Sequence, residues 1–135
     1  SVYSGSALLM KPRVLIVEDD AVFRRGLARM FSKDECEVIQ ASDGEQAIDS
    51  INGGKPDLII CDLRLPGTDG LGVLSRLKAS GQDTPFILVT AYCSDELIRE
   101  AKSQGAHEVF EKPIELKQLR ERCQKMLVPL EDSLP

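Results

Sequence analysis

Five short apolar runs alternate with longer segments of helical periodicity along the 135 residues of this sequence. A short apolar run has the length of a buried strand, and apolar residues that recur every three or four positions indicate one face of a helix. Repeated units of a strand followed by a helix build a parallel sheet covered by helices. We therefore predict one α/β domain with strands at 13–17, 37–41, 57–61, 86–89 and 108–111.

Cap residues and glycines mark the ends of the predicted helices. Asp20 is the expected N-cap of the first helix, and Ser42 with Glu45 has the spacing of a capping box that opens the second. The predicted helices are 20–32, the segment from this box to Gly53-Gly54, 70–80 before Gly81, the segment from an N-cap at Ser94 to Gly105, and 115–126. The first helix is expected to bury a stripe formed by Val22, Phe23, Leu27, Met30 and Phe31.

The strands differ in how continuously apolar they are, and this difference predicts their order. VLIV, LIIC and FILV are apolar throughout, whereas EVIQA and HEVFE contain polar residues. Strands buried on both faces of a parallel sheet are the continuously apolar ones, so strands 1, 3 and 4 are predicted to be central. The flavodoxin-like, doubly wound order 2-1-3-4-5 satisfies this condition, with helices on both faces of a five-stranded parallel sheet. In that order a crevice forms at the carboxyl ends of the strands beside strand 1, where a functional site is expected.

Composition excludes several classes of protein. A formal net charge of -5 offers no basic surface for direct binding of nucleic acid. No apolar run approaches the roughly 20 residues of a membrane-spanning helix, so we expect a soluble protein without a membrane partner. Four widely spaced cysteines without a C-x-x-C pair predict neither a zinc site nor a disulfide framework, and we therefore expect a cytoplasmic protein. The predicted domain covers 12–127, with a disordered or vector-derived tail at 1–11 and a C-terminal tail or the start of a linker at 128–135.

Polar side chains follow the predicted strands at one edge of the sheet. They are Glu18, Asp19 and Asp20 after strand 1, Asp62 after strand 3, Thr90 after strand 4 and Lys112 after strand 5. Carboxylates grouped in this way repel one another unless a cation lies among them, and a purely oxygen ligand set favours Mg²⁺. A lysine and a hydroxyl opposite such a metal could bind the oxygens of a phosphoryl group, which makes Asp62 the predicted nucleophile.

Each of these residues also has a structural explanation when it is considered singly. Acidic residues after a strand commonly cap the next helix, and we assign that role to Asp20. Thr90 alone would be an ordinary hydroxyl at a strand end, and Lys112 alone a solvated charge. The combination of these residue types at successive strand ends is what indicates a functional site.

Four segments carry a further signal: VLIVEDDAVFR, PDLIICDLRLPGTDGL, ILVTA and FEKPI. In their order and spacing they resemble the motifs of the receiver domains of bacterial two-component response regulators, and the resemblance covers roughly residues 12–127. It implies that Asp62 accepts a phosphoryl group from the phosphohistidine of a sensor histidine kinase or a phosphotransfer protein. It further implies that phosphorylation alters a surface formed by helix 4, strand 5 and helix 5, to which an output domain or effector protein binds. The only catalysis implied is the domain's own phosphorylation and dephosphorylation.

The resemblance also implies roles for individual residues around the metal. Glu18 and Asp19 are similar to the acidic pair that holds Mg²⁺ in this family, with Asp19 the direct ligand. Asp62 would be both phosphoacceptor and ligand, and the main-chain carbonyl of Arg64 would complete the protein ligands.

On the other side of the phosphoryl group, the resemblance implies that Thr90 binds a phosphoryl oxygen and that Lys112 pairs with the phosphoryl group or the free Asp62 carboxylate. The bond between Lys112 and Pro113 is implied to be cis. One position departs from the family pattern, because Val109 stands where an aromatic residue usually couples phosphorylation to the output surface. We therefore expect activation here without the inward swing of a ring at this position.

Two other functions are alternatives to a receiver domain. An aspartyl-phosphate phosphatase or phosphotransferase enzyme would carry a second acid two residues after the nucleophile, where this sequence has Arg64. A flavin-binding electron carrier would need amides and hydroxyls after strand 1, where this sequence is acidic. We expect Arg64 and Tyr92 to flank the approach of water to the phosphoryl group. Because both side chains are large and can cover that group, we predict a long-lived phosphorylated state.

Overall fold

The computed structural model describes residues 11–127, and within this range strands and helices alternate strictly. The strands are β1 Arg13–Val17, β2 Glu37–Ala41, β3 Leu58–Asp62, β4 Phe86–Thr90 and β5 Glu108–Glu111. The helices are α1 Ala21–Lys33, α2 Gly44–Gly53, α3 Gly70–Ala79, α4 Asp95–Ser103 and α5 Leu116–Met126. The tails predicted at 1–11 and 128–135 lie outside the described residues, apart from Lys11.

The strands form one parallel sheet in the order β2-β1-β3-β4-β5, as predicted. Every residue of β3 and β4 is buried, as are the last four of β1, whereas β2 and β5 consist of partly buried and exposed residues apart from the buried Ala41. The continuity of the apolar runs therefore predicted the central strands correctly. Because β2 and β3 lie on opposite sides of β1, the connections after β1 and β3 run to opposite faces of the sheet, and the loops after these two strands border the expected crevice.

The sheet separates two apolar cores, because successive strand residues point to opposite faces. One core lies between the sheet and α2, α3 and α4, and the other between the sheet and α1 and α5. In β5, Val109 packs on the α2–α3–α4 side and Phe110 on the α1–α5 side. The two residues therefore face different helices, as the alternation predicted.

Two predicted details of the helices are wrong. Val22 was expected in the buried stripe of α1 but is 79% exposed, because the helix is rotated so that Leu27 and Phe31 face the sheet. The N-cap of α2 is one residue later than the predicted Ser42, and Glu45 takes no part in capping. Asp43 caps α2 by accepting a hydrogen bond from the Gln46 amide.

The other helix ends agree with the sequence. Asp20 and Ser94 cap α1 and α4 through their side chains. Gly81 and Gly105 follow α3 and α4 with φ angles of 81° and 108°, a backbone region that favours glycine. None of the helices between residues 11 and 127 combines the length and the apolar character needed to cross a lipid bilayer.

Candidate functional site

Three carboxylates meet at the carboxyl end of the sheet. Glu18 and Asp19 follow β1, and Asp62 is the last residue of the adjacent β3. Each offers one oxygen, and these oxygens lie within 4.8 Å of one another. Glu18 and Asp62 are buried, with 2% and 7% of their surface exposed, whereas Asp19 is exposed. Oxygen ligands at this spacing fit a hard divalent cation, which would relieve the repulsion among them.

Lys112 bridges two of these carboxylates. Its Nζ donates to Glu18 Oε1 and to Asp62 Oδ2, both at 2.7 Å. Burial by itself would lower the pKa of Lys112, but the hydrogen bonds to Asp62 and Glu18 outweigh it, so the pKa is raised. Lys112 is therefore held as a cation facing the cluster, and its bond to Pro113 is cis, as predicted.

The surroundings of Glu18 shift the pKa of its carboxyl group upward. Burial raises its pKa to about 7, although hydrogen bonds from Lys112 and from the Asp20 amide oppose the shift. The charge of Asp62 raises it further. A cation among these groups would favour the ionised form of Glu18.

Asp62 is held through both of its carboxylate oxygens. Oδ2 accepts from Lys112, and Oδ1 accepts from the backbone amide of Arg64 at 3.2 Å. These contacts orient the carboxylate at the end of β3 and link it to the loop that leads to α3. Asp62 is thus held by the Lys112 ammonium on one oxygen and by the first residues of the β3–α3 loop on the other.

Thr90 ends β4, the strand next to β3, and is fully buried. Its Oγ1 accepts a hydrogen bond from the Tyr92 amide at 3.0 Å. A hydroxyl that accepts in this way can still donate its hydrogen to an anion. Thr90 is therefore chemically suited to bind an oxygen on a ligand beside the strand ends.

Arg64 and Tyr92 lie against each other in a stacked arrangement. The guanidinium carbon of Arg64 is 4.2 Å from the centre of the Tyr92 ring. The structure thus brings together the two large residues that were expected to flank the site, although Tyr92 remains 63% exposed. A cation over an aromatic face is attracted by the ring quadrupole, so each side chain restrains the other.

Several contacts of the site were not predicted. The Phe23 ring lies 5.1 Å from Lys112 Nζ, and Arg24 donates to the main-chain oxygen of Glu18 at 2.8 Å. Sequence periodicity placed Phe23 on the buried side of α1 but could not indicate that it faces a charged group. Arg24 gave no signal in the sequence, because an arginine in the first turns of a helix is ordinary.

Known proteins are similar to this chain in sequence and in fold. The family model described as response regulator receiver domain matches residues 14–124. The chain belongs to this family. The receiver domain is 34% identical to sporulation initiation phosphotransferase F of Bacillus subtilis (strain 168) over 125 residues, which cover 93% of this chain and 100% of that protein. The chain is therefore a signalling domain of the receiver type.

Longer proteins also match this chain over part of their length. Regulator of RpoS from Escherichia coli (strain K12) is 35% identical over 122 residues, which cover 90% of this chain but only 36% of that protein. Among solved structures, a signal receiver domain from Vibrio parahaemolyticus superposes with a TM-score of 0.85 at 32% identity, covering 91% of this chain and 96% of that one. The relatives thus include a protein of similar length and one that carries much additional sequence.

Proposed function

We propose that this receiver domain accepts a phosphoryl group on Asp62 from the phosphohistidine of a sensor histidine kinase or a phosphotransfer protein. The observation that carries the proposal is the position of the Asp62 carboxylate, which lies beside two further carboxylates and 2.7 Å from a lysine ammonium. This arrangement supplies both a nucleophile and a countercharge at one point. Membership of the family supports the same reaction.

The residues fit Mg²⁺ as the metal of this reaction. Asp19, Asp62 and the main-chain carbonyl of Arg64 would hold the ion, with Glu18 beside it, and these oxygen donors suit a hard cation. When bound, Mg²⁺ supplies positive charge that offsets the negative charge of the phosphoryl oxygens. Its fit rests on the three oxygens within 4.8 Å of one another.

The protein's own groups account for the other requirements of phosphoryl transfer. A carboxylate oxygen of Asp62 forms a bond to phosphorus while the bond from phosphorus to the donor's imidazole nitrogen breaks, and the imidazole keeps the electron pair. Thr90 would donate its hydroxyl hydrogen to one phosphoryl oxygen, and Lys112 would pair with another. Catalysis of this kind depends on positioning and on charge stabilisation, which buried and restrained groups provide.

The signal would then pass to a surface formed by α4, β5 and α5, which an output domain or effector protein binds. Thr90 is suited to begin this change, because its hydrogen bond to the Tyr92 amide connects the site to the chain that leads into α4. Val109 has no aromatic ring that could move inward in response to a change at Thr90. We place the domain at residues 12–127 in the cytoplasm, with 1–11 and 128–135 as flanking segments.

Phosphorylation at Asp62 can be tested with a small acyl phosphate and MgCl₂, followed by intact-mass analysis. We expect wild type to gain the mass of one phosphoryl group and Asp62→Asn to gain none. Asp57→Asn is the matched control, because Asp57 precedes the same strand at its other end and accepts a hydrogen bond from the Arg13 amide that asparagine can keep. Equal labelling of Asp62→Asn and wild type would refute the assignment.

A further inference from the structure

The loop 63–69 connects β3 to α3 and touches the amino end of α2. Thr68 makes this contact, and its Oγ1 donates to Glu45 Oε1 at 2.9 Å. The two residues are 23 positions apart in sequence. The hydrogen bond therefore ties the loop that leaves the site to a helix that contributes no residue to it.

Two glycines make room for Thr68 on either side. A Cβ at Gly44 would lie 2.1 Å from the Thr68 main-chain oxygen, and a Cβ at Gly72 would lie 2.5 Å from Thr68 Cγ2. Neither distance is possible between non-bonded atoms, so any larger residue at Gly44 must move the backbone of the loop. Thr68 is thus fitted between α2 and α3 in one position.

The same loop is connected directly to the phosphoacceptor. Its first part is held by the Arg64 amide, which donates to Asp62 Oδ1, and its end by the Gly70 amide, which donates to the Leu63 main-chain oxygen at 2.8 Å. Between these two points lies Thr68. A displacement of Thr68 would therefore be passed along a short, tightly bonded segment to Arg64 and Asp62.

We propose that Gly44, Glu45 and Thr68 are positioning residues that set the loop 63–69 for binding Mg²⁺. The inference rests on the proposed function, in which the Arg64 carbonyl and the Asp62 carboxylate hold the metal. With the Thr68 contact in place, the loop is ordered before the metal arrives. Without it, part of the cost of ordering the loop is added to the free energy of metal binding, which weakens affinity.

The test measures Mg²⁺ affinity by titrating the full chain with MgCl₂ and following backbone amide resonances by NMR. Thr68→Val removes the hydroxyl and keeps the shape, and we expect affinity to fall about fivefold, equivalent to about 1 kcal/mol at about 1.4 kcal/mol per tenfold. Thr68→Ser restores the hydroxyl and should recover most of the affinity. Gly44→Ala should weaken binding further, because it displaces the loop backbone.

Each variant has a matched control elsewhere in the fold. Thr84→Val also deletes a threonine hydroxyl, one that donates to the Pro56 main-chain oxygen at the opposite end of the sheet. Gly53→Ala makes the same change as Gly44→Ala at the other end of α2, where an added Cβ meets nothing within 4 Å. Both controls should bind Mg²⁺ like wild type, and thermal unfolding in EDTA should show whether Thr68→Val and Thr84→Val are equally destabilised.

The outcomes separate this inference from the function on which it rests. If wild type binds Mg²⁺ but Thr68→Val and Gly44→Ala bind it equally well, the positioning role is refuted and the metal site stands. If Thr68→Val and Thr84→Val lose affinity in equal measure, the effect is one of general stability, and the inference again fails. If wild type binds no Mg²⁺ at all, the proposed metal site is wrong and the inference falls with it.

Discussion

Replacing Asp19 with asparagine is expected to stabilise the metal-free domain. The oxygens of Asp19, Glu18 and Asp62 lie within 4.8 Å of one another. Two unit charges at 4.8 Å repel by about 0.9 kcal/mol in bulk water and by about 3.5 kcal/mol at an effective dielectric constant of about 20. Asp19 is exposed and Lys112 offsets part of the charge, so the lower value applies, and we expect a gain of about 1 kcal/mol in the free energy of unfolding.

Magnesium should reverse the order of stability of wild type and Asp19→Asn. An ion that binds only the folded state adds about 2.7 kcal/mol to stability at one hundred times its dissociation constant. Wild type would receive this gain, whereas Asp19→Asn lacks the charge of a proposed direct ligand and would receive little of it. The variant should therefore be the more stable protein in EDTA and the less stable one in MgCl₂.

The assay is urea unfolding followed by circular dichroism, with each protein measured in EDTA and in MgCl₂. Asp49→Asn is the control, because Asp49 is an exposed acid within α2 and its replacement changes the net charge by the same amount. That variant should respond to Mg²⁺ like wild type. The reasoning is refuted if Asp19→Asn destabilises the metal-free protein, or if Mg²⁺ stabilises this variant as much as it stabilises wild type.

Two further predictions concern residues around the phosphoryl group. Replacing Arg64 with asparagine and Tyr92 with alanine removes the stacked pair that we expect to shield phosphorus, so phosphate loss at saturating Mg²⁺ without a partner should be several times faster than in wild type. Phosphate release from the double variant at the wild-type rate would show that this pair does not set the lifetime. Val109→Tyr should leave the rate of phosphorylation by an acyl phosphate little changed, because Val109 packs on the α2–α3–α4 side of β5, while hydrogen exchange of the phosphorylated protein should change in α4 and β5. A collapse of phosphorylation in Val109→Tyr would contradict this placement.

The sequence by itself determined the architecture of the sheet and the types of residue at its carboxyl edge. The strand order followed from which apolar runs are continuous, since a strand covered on both faces cannot carry the polar residues found in β2 and β5. Parallel strands also place their carboxyl ends together. Glu18, Asp62 and Thr90 were therefore predicted to lie near one another without any knowledge of their distances.

Local signals were less reliable where two neighbouring residues could play the same part. Ser42 and Asp43 are both good N-cap residues, and the helix begins one residue later than the Ser42–Glu45 spacing predicted. Val22 belonged to the apolar pattern of α1 but is exposed. Periodicity defines an apolar face to within about one residue position on a helix, and only packing against the sheet decides the rotation.

Only the tertiary structure decided the contacts between elements that are distant in sequence. Glu45 with Thr68, Phe23 with Lys112, and Arg64 with Tyr92 meet because of helix rotation, strand register and the course of loops. No pattern within a single segment records these quantities. They follow from how the sheet and its two layers of helices fill space together, because the position of each side chain in a packed interior depends on all of its neighbours.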